Sequence, residues 1–171
     1  MFEALRWDFR RNRDSLARLV LAVFRFGQWT AGRRTLPRRL ASIPYKALNL
    51  LVLRLGTNSD LPRELVCGPG LRLFHPYGLV LHRGVRIGRN VTMYHRITIG
   101  RRDLSGEPVI GDDVTIGAGA VVLGPVVVGD RARIGAGAIV LDDVPVDGIA
   151  VGPRADVRPP AGERAPAPPA A

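Results

Sequence analysis

Aliphatic residues recur every six positions through the middle of this chain. Stepping by six from Ile87 gives Met93 and Ile99, and after an interruption Ile110, Ile116, Val122, Val128, Ile134 and Val140. A second series lies four residues on: Val91 and Ile97, then Val114, Ala120, Val126, Ala132, Ala138 and Val144. Glycine follows the first aliphatic at positions 88, 100, 111, 117, 129 and 135. A period of six suits neither a 3.6-residue helix nor the two-residue alternation of hairpin sheets. It suits a short strand followed by a tight corner, with an aliphatic pointing into a narrow interior and a small residue permitting the bend. Strand stacked on strand then satisfies the backbone. The pattern predicts a parallel β-helix.

Two stretches break the step. One is RRDLSGEPV, between Ile99 and Ile110. The other is FHPYGLVLHRG, residues 74 to 84, where His75 stands six before Leu81, at a place the pattern assigns to a buried aliphatic. Leu73, Leu79, Val85, Val91 and Ile97 keep a six-residue spacing through it. The imidazole is thus read as an exception on an uninterrupted scaffold.

Composition divides the 171 residues into three parts. Residues 1–58 are predicted to be a basic helical region, 59–157 the β-helix, and 158–171, rich in Pro and Ala, a disordered tail. The net charge of +10 is unevenly spread, because residues 1 to 59 hold twelve Lys or Arg against three Asp or Glu. That segment carries no recognisable nucleic-acid reading motif, so nucleic acid is not expected as a partner and its arginines read as solvated helix faces. LARLVLAVFRFGQW and IPYKALNLLVLRLG read as amphipathic helices that pack on the domain or on each other, peripheral membrane contact being the alternative. Neither is long or uninterrupted enough to span a bilayer. A single cysteine, Cys67, and the lack of a secretory leader pattern point to a cytoplasmic protein.

IGDDVTIGAGAVVLGPVVVGDRARIGAGAIVLDDVP resembles the hexapeptide-repeat acyltransferases. That resemblance implies a left-handed β-helix with about three hexapeptides per coil and a homotrimer. Residues 60 to 100 resemble the serine acetyltransferases and, in their short form, the colanic acid and exopolysaccharide acetyltransferases. In the serine enzymes a catalytic His follows a Gly-x-Gly segment, with an Asp fifteen residues before it. Here Gly68-Pro69-Gly70 precedes His75, and Asp60 lies fifteen residues upstream.

The chemistry suits that pair. An alcohol is a weak nucleophile near neutral pH, and a neutral imidazole can take its proton as it attacks a thioester carbonyl. A carboxylate on the other ring nitrogen fixes the tautomer and stabilises the imidazolium. The resemblance implies acetyl-CoA as co-substrate, held at Gly117, Ala118, Gly135 and Ala136, with Gly152 and Arg154 toward its far end. His95 matches a His of the exopolysaccharide-type sequences and is a candidate for the acceptor pocket. Three histidines in such a fold also resemble the zinc-binding gamma-class carbonic anhydrases. Gaps of seven and thirteen between His75, His82 and His95 do not match the paired ligands of that class, so no metal is expected.

The expected function is O-acetylation of a hydroxyl on a sugar, a polysaccharide precursor or a small metabolite, with His75 as base. Serine O-acetylation is the alternative. It is weakened because Phe74 stands where the serine enzymes have an acid, and Gly106 and Glu107 replace their Arg-His pair. Further alternatives are a non-catalytic trimeric scaffold and the zinc protein.

Overall fold

The computed structural model describes residues 2–32, 35–104 and 106–153. Helices α1 (Phe2–Arg11), α2 (Ser15–Ala31) and α3 (Leu36–Leu48) come first, and α3 runs on into a π-helical segment, Asn49–Gly56. Asp14 caps α2, its carboxylate accepting from Ala17 N at 2.9 Å. No described helix is long and apolar enough to cross a membrane.

Short parallel strands follow. They are β1 (Val66–Cys67), β2 (Arg72–Leu73), β3 (Val80–Leu81), β4 (Arg86–Ile87), β5 (Thr92–Met93), β6 (Thr98–Gly100), β7 (Val109–Ile110), β8 (Thr115–Ile116), β9 (Val121–Leu123), β10 (Val127–Val128), β11 (Arg133–Ile134), β12 (Ile139–Val140) and β13 (Ile149–Ala150). They stack as three sheets in the orders β1-β4-β7-β10, β2-β5-β8-β11-β13 and β3-β6-β9-β12. Each circuit of the chain visits all three in turn, which is the predicted β-helix. Both aliphatic series line its interior: none of their seventeen residues is more than 7% exposed. Coils stack closely enough that a Cβ on Gly117 would come within 2.5 Å of Ala136 N, one coil on.

The structure corrects the reading of His75. Six residues separate Thr92 from Thr98 at the corner between the second and third sheets, but eight separate Arg72 from Val80 in the preceding coil. Leu73 therefore takes the inward place that Met93 holds one coil on, and Leu79 the place of Ile97. The unbroken six-residue spacing from Leu73 to Leu79 thus crosses from one aliphatic series to the other. The two extra residues push His75 out of the core, where it is exposed at φ 53°.

The N-terminal helices close the first coil. On the outer edge of β2, the Asn12 carboxamide donates to Leu71 O and accepts from Leu73 N, at 2.8 and 2.9 Å, as the peptide group of a neighbouring strand would. Asp8, fully buried, accepts from Gly70 N and Leu71 N and pairs with Arg25 at 2.7 Å. Arg25 also donates to the carbonyls of Cys67 and Gly68. It is thus buried, not one of the solvated arginines the sequence pattern suggests.

Beside this network, burial pushes the Cys67 thiol up to about 11, although the residue as a whole keeps some exposed surface. The folded protein holds the thiol neutral while an unfolded chain ionises it near 9.0. This contribution to stability is present below pH 9 and lost as pH rises toward 11. Cys67 is expected to resist alkylation by iodoacetamide at pH 8 in the native protein and to react on unfolding. Rapid labelling of the native protein, read by mass spectrometry, would contradict the enclosed thiol.

Candidate active site

The corner that leaves the second sheet carries most of the residues singled out from sequence. Strand register places His75, His95, Ala118, Ala136 and Gly152 at equivalent positions, each two residues beyond the paired inward residues Leu73, Met93, Ile116, Ile134 and Ala150. They form one column along the coil axis. Its spacing is fixed by backbone bonds from Gly119 N to His95 O and from Gly137 N to Ala118 O, both 2.9 Å. Gly117 and Gly135 stand beside it, one residue earlier in each coil. Arg154 lies outside the described residues, as does the tail 158–171.

His75 heads this column. Its left-handed backbone is one that His adopts more readily than most side chains. Its carbonyl accepts from Tyr77 N at 2.7 Å, and Gly78 N donates to Thr57 O, tying the enlarged corner to the segment before the first coil. The His75 and His95 rings meet edge to face, 6.2 Å between centroids. Among the described residues His95 Nδ1, which is buried, has no hydrogen-bond partner.

Asp60 is placed differently. Its backbone pairs with Val80 on the third sheet, and its carboxylate faces Arg54 at 3.2 Å, both side chains about half exposed. It lines a cavity of about 430 Å³ with His82 and Arg83 between the helices and the first coils. The structure brings no hydrogen bond between Asp60 and His75. Phe74 lies flat against Tyr94, ring centroids 4.9 Å apart, and the Arg72 guanidinium covers it at 4.2 Å.

The interrupting segment leaves from β6, at a different corner. There Glu107 accepts from Arg101 Nε at 2.6 Å and lies 3.6 Å from His82 Nδ1. Among the described residues no three His, Cys, Asp or Glu side chains converge as metal ligands would.

The coil and its column of small residues define a hexapeptide-repeat protein, and residues 107–142 match the bacterial transferase hexapeptide family (six repeats). The serine acetyltransferase of Mycobacterium tuberculosis is 33% identical over 171 residues, covering 89% of this chain and 71% of that one. The putative colanic acid biosynthesis acetyltransferase WcaB of Escherichia coli K12 is 29% identical over 128 residues, 74% of this chain and 79% of the relative. Soybean serine acetyltransferase, solved as the apoenzyme, superposes with a TM-score of 0.72 at 32% identity, over 88% of this chain and 66% of its own. The chain belongs to the hexapeptide-repeat acetyltransferases, in the group that includes the serine acetyltransferases. It spans about two thirds of the soybean enzyme's length.

Proposed function

We propose that this chain is an acetyl-CoA-dependent O-acetyltransferase with His75 as general base. The observation that carries the reading is the enlarged corner, which holds an exposed imidazole at the head of a column of small residues. Beyond His95 the column gives a pantetheine arm an edge free of large side chains to lie along, and Gly117, Ala118, Gly135, Ala136 and Gly152 fit that use. The same small residues also serve coil stacking, as the Gly117 approach requires. In the homotrimer that the resemblance implies, this edge faces the groove between neighbouring coils.

In the reaction, His75 removes the proton of the acceptor hydroxyl as its oxygen attacks the acetyl carbonyl. The tetrahedral intermediate collapses, the C–S bond breaks, and the imidazolium returns its proton to the leaving CoA thiolate. His95, whose ring meets that of His75 edge to face, is the residue suited to hold the acceptor. Asp60 acts through His75 as a positioning residue. To bond the imidazole its carboxylate must turn from Arg54, a surface pair that holds it only weakly.

For the acceptor, the named relatives support L-serine over the sugar hydroxyl favoured from sequence. A second reading, a hydroxyl compound of other charge, is favoured by Phe74 and by the engagement of Glu107 with Arg101. Following CoA release with L-serine, simple sugars and phosphorylated sugars as acceptors separates the two. No CoA release with any acceptor would remove the enzyme reading in favour of a scaffold.

Asp60→Asn is expected to lower kcat by about 10²- to 10⁴-fold at unchanged KM for acetyl-CoA, as loss of the carboxylate that orients a catalytic imidazole does. Asp60→Glu should restore part of it. Wild-type kcat in Asp60→Asn would leave Asp60 as a structural partner of Arg54 alone.

A further inference from the structure

A second cavity, of about 540 Å³, opens on the outer face of the first coil, where the end of α1 meets β2. Arg10, Arg11, Arg13 and Arg72 line it, with Asn12, Asp14 and Phe74. None of these four guanidiniums is ion-paired with a carboxylate among the described residues. Arg11 spends its donors on Gly70 O at 2.6 Å and Thr92 Oγ1 at 3.4 Å, and Arg72 lies over Phe74. The one acid in the lining, Asp14, accepts from Ala17 N as the α2 cap. Burial, and next the neighbouring Arg72 charge, lower the pKa of Arg11, as expected of guanidiniums crowded together with Asp113 and Asp8 only partly compensating. Four guanidiniums against the single carboxylate of Asp14, with Arg11 and Arg72 held in place by their contacts, are the elements of a site for a phosphate group. Phe74 connects it to the chemistry, since the next residue is His75.

We propose that this cavity holds the anionic part of the acceptor, so that the hydroxyl acetylated is carried on a phosphate or diphosphate ester such as a phosphorylated sugar. This rests on the O-acetyltransferase reading and deepens its second acceptor. Arg72 and Arg13 are the specificity-determining groups, while Arg11 is partly committed to holding Gly70. A zwitterionic amino acid gains less here, because its ammonium meets four cations against the one carboxylate of Asp14, which also caps α2.

Calorimetric titration of the full-length protein with inorganic phosphate, glucose 1-phosphate, UDP-glucose, glucose and L-serine tests the proposal. Sugars bearing phosphate should bind at least about tenfold more tightly than glucose, and Arg72→Gln or Arg13→Gln should each weaken them by about tenfold or more. In CoA-release assays the same variants should raise KM for the phosphorylated acceptor and leave KM for acetyl-CoA unchanged. Equal binding of glucose and glucose 1-phosphate, or undiminished binding in both variants, overturns the proposal. So does tight binding of inorganic phosphate with serine as the only productive acceptor. Those results leave the acetyltransferase reading standing. Failure of acetyl-CoA to bind, with phosphate esters still held by the arginines, would instead remove that reading, and with it the acceptor role assigned to the cavity.

Discussion

His75→Asn is expected to lower kcat by about 10²- to 10⁴-fold, the range set by loss of a positioned general base. Asparagine is the informative substitution because the residue sits at φ 53°, where most side chains are strained and Asn is tolerated. The corner, including the bonds from Tyr77 N and Gly78 N, can then persist without the imidazole. KM for acetyl-CoA should stay within a few-fold of wild type, because the column from Ala118 to Gly152 lies on other coils. Steady-state CoA release, with thermal melting as a check on folding, reads both. Full turnover in a well-folded His75→Asn would assign the base elsewhere, His95 being the neighbouring imidazole.

That substitution also marks where sequence legibility ended. The core was readable from Ile87 to Val144 because a hexapeptide coil repeats its side-chain environment at a fixed interval, and each aliphatic in both series is buried. The corner at Phe74 to Leu79 was misread because an eight-residue turn moves the chain between two series that are both aliphatic, so the spacing survives while the register changes. Only strand pairing separates Leu73, partner of Met93, from His75, two residues beyond. The column of His75, His95, Ala118, Ala136 and Gly152 was visible as separate residues, but its continuity needed the register. Asp60 matched by offset alone, which carries no direction for its side chain, and the carboxylate faces Arg54.

The basic cavity was hidden for a related reason. Arg10 to Arg13 and Arg72 are separated by about sixty residues, and charge counting merges them with arginines on open helix faces. A usable signal was present in Arg72 and Phe74, outward neighbours of an inward Leu73, flanking a strand next to the proposed base. Arg25 had its own signal. It sits in α2 between Leu21 and Gln28, four residues before it and three after, and next to Phe24, on the face that packs inward.

Asp8→Ala is expected to destabilise the fold by about 3–5 kcal/mol, the cost of leaving a buried cation without its partner. For a chain of this size that corresponds to a fall in Tm of roughly 6–20 °C. The loss exceeds that of an ion pair because Asp8 also accepts from Gly70 N and Leu71 N, and Arg25 donates to Cys67 O and Gly68 O. Replacing a buried ion pair by apolar residues is often neutral, but here Asp8→Leu with Arg25→Met strands four backbone groups of the first coil. The double variant should therefore remain destabilised by several kcal/mol, whereas Arg131→Ala, whose pair with Asp147 lies on the open surface, should leave Tm near wild type. Recovery of wild-type Tm in the double variant would reduce the clamp to a replaceable hydrophobic contact. The same clamp orders Gly70 to Leu73, the stretch leading directly into His75. Partial unfolding in Asp8→Ala should therefore expose the corner before the outer coils, with amide exchange at Leu71 and Leu73 rising ahead of exchange at Ile116 and Ile134.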